Sequence, residues 1–173
     1  MKDFKKFIRT TVRNLLIENQ NNSDNTILLK KLYIKNGFTD EDILNMSYEG
    51  YFNNIEWFND KTLIVYRSLS LPNTKINEFL KSVNNGIGQY WSFNKDIKPI
   101  WGGNTQYEYP NEYIVDVRCE GHLEVKDIDF ADLKYAYNDD FHNFCDEQEI
   151  RGKLNGNKIK VIDCQTYMKN KSK

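Results

Sequence analysis

Three short stretches of this chain carry side chains able to do chemistry. The first is Val65-Tyr66-Arg67-Ser68, an arginine inside an apolar run. A buried guanidinium is costly unless an anion or a carbonyl meets it. Its planar fork suits a pyrophosphate or a carboxylate. The plainer reading is a structural ion pair with one of the many acids. The second is Gly88-Gln89-Tyr90-Trp91-Ser92-Phe93-Asn94, a small hydroxyl among aromatics where the chain leaves a strand. Neither His122 nor His142 stands in a triad pattern, so Ser92 reads as a binding hydroxyl rather than a nucleophile. A strand end with buried Tyr90, Trp91 or Phe93 is the alternative. The third is Asp146-Glu147-Gln148-Glu149-Ile150. If it is extended, Glu147 and Glu149 point to one side, roughly 6–7 Å apart along the strand. Two carboxylates so placed repel, and one has a raised pKa. That suits catalysis or a cation, with a solvated acidic turn as the bland alternative.

Other chemistries lack their patterns. Asp139, Asp140, His142, Cys145 and Asp146 crowd together, yet a His-x-x-Cys without a second pair is no zinc pattern. The glycine and ligand spacing of a calcium loop are missing too, so no metal is expected. There is no P-loop, no GxGxxG and no nucleophile elbow.

The chain of 173 residues has the size of one domain, and 39% hydrophobic with 14% aromatic residues suffices for a core. A net charge of −1 argues against nucleic acid as partner. No apolar run approaches a membrane span, and residues 1–20 lack the continuous apolar stretch of a signal peptide. Three cysteines without CxxC spacing fit reduced thiols, hence a cytoplasmic protein. The charge is uneven: residues 1–20 carry +3, and residues 120–149 carry −8 through ten carboxylates against Lys126 and Lys134. That acidic third is where chemistry is expected.

The elements that must position these groups read as helices first, then strands. Phe4, Phe7, Ile8, Val12, Leu15 and Leu16 follow helical spacing with basic residues between them. Glu18 to Asn25 is a polar linker, and Thr26 to Lys35 a second helix. Thr39 with Asp42 opens a third with a capping box. Tyr48 to Phe58 adds a short helix. Strands are expected at Thr62–Leu69, Gly88–Phe93, Glu112–Arg118, His122–Val125, Leu133–Tyr137, Glu149–Leu154 and Lys158–Cys164. A helix runs from Pro72 to Val83, and Asn94 caps another towards Trp101, before the loop Gly102-Gly103-Asn104. Asn155-Gly156 reads as a hairpin turn between the last two strands. The order argues for an α+β fold in one domain. Its helical part covers residues 1–60, its core 61–165 and a tail 166–173.

Arginine, serine and E-x-E, in this order on successive strands, resemble the R-S-E class of mono-ADP-ribosyltransferases. Arg67 in VYRSLS resembles the family's arginine, Ser92 in GQYWSFN its serine motif, and Glu147-Gln148-Glu149 its E-x-E turn. The following EIRGKLNGNKIKVIDC is similar to the strand and hairpin that close such domains. The similarity covers about Thr62 to Cys164. Trp91-Ser92-Phe93 departs from the family's Ser-Thr-Ser form. The resemblance implies two packed β-sheets clefted around NAD, which serves as substrate. It implies that Glu149 binds the nicotinamide-ribose hydroxyl and stabilises the cationic transition state, and that Glu147 orients and deprotonates an acceptor arginine. Arg67 would hold the phosphate or ribose region, with Ser92 bracing the site; Trp91 or Trp101 could stack on a ring, a place in the core being the plainer reading of each. Small phage-encoded members, expressed early or packaged in the virion to modify a host protein, look closest in size. NAD hydrolysis without a protein acceptor shares every site residue. An inactive binding or structural module of this fold is the third reading.

Overall fold

The computed structural model describes residues 24–97 and 113–167. The expected leading helix, Trp101 with its glycine loop, and the tail beyond residue 167 lie outside the described residues. Two helices come first, α1 (Asp24–Lys35) and α2 (Asp40–Tyr48). The first thus starts two residues before the expected Thr26. The capping box of α2 forms as read: Thr39 Oγ1 accepts from Asp42 N–H at 3.1 Å, and Asp42 Oδ2 from Thr39 N–H at 2.7 Å.

Tyr48 to Phe58 is not a helix. The Gly50 and Tyr51 N–H groups bond back to Ser47 and Met46 carbonyls and close α2. The aromatic residues beyond form strand β1 (Glu56–Asn59), which turns directly into β2 (Thr62–Pro72). Helix α3 (Ile76–Ser82) follows, flanked by single 3-10 turns, then β3 (Tyr90–Ser92). The two strands expected at Glu112–Arg118 and His122–Val125 are one, β4 (Ile114–Glu124), with buried and half-buried residues alternating along most of it.

Leu133–Tyr137 is helical, within α4 (Phe130–Asp139). Asp129 Oδ1 caps it by accepting from Asp132 N–H at 3.0 Å, and Leu133, Ala136 and Tyr137 bury one face. The five-residue window read as strand was too short to show that helical period. Helix α5 (Phe141–Asp146), capped by Asp140, was not anticipated. Two strands remain, β5 (Glu149–Arg151) and β6 (Ile159–Tyr167).

All six described strands join one sheet of order β5-β3-β2-β4-β6, with β1 also pairing to β2. The α+β class is therefore as expected, although the described strands make one sheet instead of two. Asn155-Gly156 is no hairpin, because β5 pairs with β3 at one edge and β6 with β4 at the other. The dipeptide encodes a turn, here leading into the 3-10 segment Gly156–Lys158, and leaves the partner to the sheet.

Leu63, Val65, Val117, Cys119 and Leu123 of the sheet share one core with Leu29, Tyr33, Ile43, Met46, Leu133 and Phe144 of the helices. Among the described residues no helix is long and apolar enough to cross a membrane.

Candidate functional site

Strands β2 and β3 meet at a single ladder pair, Tyr66 opposite Ser92. Beyond it, residues 67–69 continue along β4 with no partner from β3, and the sheet opens. A cavity of about 400 Å³ lies at this opening, lined by Arg67, Tyr90, Trp91, Glu147, Glu149 and Arg151 among others. That volume is at the lower end of small-molecule sites.

Arg67 is half-buried on the cavity wall. Its one hydrogen bond among the described residues is long, 3.4 Å from Nη1 to the Ile87 carbonyl. The structural ion pair weighed from the sequence is not formed among the described residues, where no carboxylate pairs with it. Burial lowers its pKa, which a bound anion would offset. The guanidinium fits only because residue 88 is glycine: a Cβ there would lie 1.7 Å from Nη1, and its φ is +61°.

Ser92 is fully buried, with 0% exposure, and is not among the residues that line the cavity. Its Oγ donates to the Glu147 carbonyl at 2.5 Å and accepts from Asn94 N–H at 2.8 Å. The hydroxyl is thus committed to the protein and braces the turn that carries Glu147. Trp91, 2% exposed, belongs to the core and reaches the cavity wall, with its buried indole N–H unpartnered among the described residues.

The E-x-E segment is not the extended strand that would put both carboxylates on one face. Glu147 ends α5 in a helical conformation, and Gln148 takes the left-handed region at φ 49°. Only then does β5 begin, with Glu149 opposite Ser92. Both carboxylates still reach the cavity, by a tight turn instead of strand alternation. The strained residue is held from both ends of its amide: Nε2 donates to Gly50 O at 3.0 Å, and Oε1 accepts from Asn54 Nδ2 at 2.9 Å. Tyr51 Oη donates to the Glu149 carbonyl at 2.6 Å and shares a 2.7 Å hydrogen bond with Tyr33. The segment after α2 therefore buttresses the turn.

Part of the acidic stretch does structural work. Glu124 pairs with Lys126 and Lys158, Asp129 and Asp140 cap helices, and Asp132 pairs with Arg151. Of its ten acids only Glu147 and Glu149 line the cavity. Among the described residues no cluster of three or more His, Cys, Asp or Glu could hold a metal ion.

Burial first, and then the charges of Glu149, Asp140 and Asp146, raise the Glu147 pKa. The native state takes this proton at a pH where the unfolded chain, near the ordinary value of about 4.3, has not. Stability therefore falls as pH rises from that value through the raised one. Glu147→Gln removes this slope. We expect the variant to be the more stable at pH 7 and the two proteins to converge near pH 4, read by urea unfolding across pH.

Residues that the sequence did not flag are Gly88, Gln148, Tyr51 and Arg151. The last was readable, standing two places beyond Glu149 and hence on the same side of a strand.

Among known proteins, a stretch of 109 residues, 62% of this chain, is 36% identical to a Plasmodium falciparum (isolate 3D7) protein described as a candidate E3 ubiquitin-protein ligase. The chain spans about 1% of that protein's length. No family model matches the chain, and no solved structure matches it significantly.

Proposed function

We propose that this protein transfers ADP-ribose from NAD to a protein side chain, with arginine as acceptor. One observation carries the reading. Arg67 and the pair Glu147 and Glu149, some eighty residues apart in the chain, line one cavity, and Ser92, opposite Glu149 in the ladder, braces the turn that carries Glu147. This convergence of Arg67 with the two glutamates supports the reading that the resemblance to R-S-E mono-ADP-ribosyltransferases suggests. The raised pKa of Glu147 makes its carboxylate a stronger proton acceptor than an ordinary glutamate.

The chemistry follows from these positions. The bond between ribose C1′ and the nicotinamide nitrogen breaks, and nicotinamide leaves with the bonding pair. Positive charge develops on the ribose, as in glycoside cleavage. Glu149 accepts a hydrogen bond from a ribose hydroxyl and opposes that charge where it forms. Glu147 takes a proton from the acceptor guanidinium, whose freed nitrogen forms the new bond to C1′. Arg67 holds a phosphate of the pyrophosphate, an anion that its half-buried fork lacks among the described residues. The substrate protein would belong to a host cell if the chain is phage-encoded.

The test incubates the protein with labelled NAD and a cell lysate, beside Glu149→Ala. Label on protein that is lost in the variant supports transfer. Free ADP-ribose alone turns the assignment to NAD hydrolysis, and neither product turns it to an inactive binding or structural module.

A further inference from the structure

Arg151 lines the same cavity, yet the resemblance assigns it nothing. Its guanidinium is fixed on three sides. Nε donates to Glu149 Oε1 at 2.7 Å, and Nη1 to Asp132 Oδ1 at 2.8 Å. The guanidinium carbon lies 4.3 Å from the centre of the Tyr90 ring, the residue opposite Arg151 in the β3–β5 ladder. The backbone adds a fourth tie, because the Arg151 carbonyl accepts from Asp129 N–H at 2.9 Å, at the start of α4. Both side chains of the Arg151–Glu149 pair are about 85% buried, at 14% and 15% exposure, so solvent screens it little.

The consequence lies in which carboxylate oxygen is left. Oε1 of Glu149 is engaged, and Oε2 has no hydrogen bond among the described residues. A free glutamate would rotate its carboxylate about the last torsion, a broad two-fold well. Here the arginine stops that rotation, and α4 stops the arginine. We infer that Arg151 is a positioning residue, presenting Glu149 Oε2 to the substrate hydroxyl and linking the catalytic carboxylate to α4 through Asp132. The inference rests on the proposed transfer reaction and adds to it a residue that acts through another.

Steady-state kinetics of NAD consumption test it in wild type, Arg151→Met, Arg151→Lys and Arg151→Ala. A misplaced catalytic group costs up to about 100-fold. Arg151→Met is therefore expected to lose kcat on the order of 10- to 100-fold, with KM for NAD within about threefold. Arg151→Lys restores charge without the fork and should fall between. Guanidinium chloride at millimolar concentration should raise the kcat of Arg151→Ala, and urea at equal concentration should not. A purely structural role predicts a lower unfolding midpoint, no rescue and unchanged kcat in the folded protein, and that result overturns the inference. Should Arg151→Met not fold, the Arg151→Lys kcat and KM decide alone. Wild type that consumes no NAD sinks the transfer reading itself, and this role with it. An active wild type with unaffected variants sinks only the role of Arg151.

Discussion

Glu149→Gln is expected to abolish most NAD cleavage while leaving a folded protein. Loss of one electrostatic group aimed at a developing charge costs about 100- to 1,000-fold in kcat. The amide keeps the size of the carboxylate and an oxygen that accepts from Arg151 Nε, and the backbone carbonyl still receives Tyr51 Oη. What it loses is the negative charge beside the ribose. The drop should therefore appear in kcat, with NAD affinity nearly unchanged, since Arg67 is untouched. Kinetics and calorimetric titration with NAD on the same preparation measure both. A variant that cleaves NAD at the wild-type rate removes Glu149 from the chemistry.

The contrast between Glu149 and its surroundings shows what the sequence could carry. Residue types signalled groups that line the cavity: an arginine in an apolar strand, an E-x-E ahead of another strand. Capping residues signalled helix starts, as at Thr39. Geometry between segments was not legible. Glu147 and Glu149 reach one cavity through the left-handed Gln148, held by Gly50 and Asn54 about a hundred residues earlier in the chain. No local pattern encodes that support. For the same reason the acidic stretch looked like a site. Charge counts do not distinguish a carboxylate that caps a helix, as Asp129 does, from one that faces a cavity. Strand partnership was hidden as well. Asn155-Gly156 states a turn, whereas the three-residue β5 is claimed by β3, across the sheet from β6.

Gly88 carries the second large effect, although it offers no side chain to any ligand. Its φ of +61° strains any other residue by about 1–3 kcal/mol. More decisive is the space. A Cβ at 1.7 Å from Arg67 Nη1, and 2.6 Å from Cζ, cannot coexist with the guanidinium where it stands. Arg67 is the movable partner, so Gly88→Ala should drive it off the cavity wall. The expected result is a loss of NAD affinity of about 10- to 100-fold, the worth of a charged hydrogen bond to phosphate. Simple destabilisation would give a lower unfolding midpoint instead, so a double-mutant cycle separates the two. If the glycine acts by making room for Arg67, adding Gly88→Ala to Arg67→Met leaves NAD binding no weaker than Arg67→Met alone, while both backgrounds share the backbone strain. If the two losses add in full, Gly88 acts through something other than the arginine. Undiminished NAD affinity in Arg67→Met would remove the guanidinium from the binding site altogether.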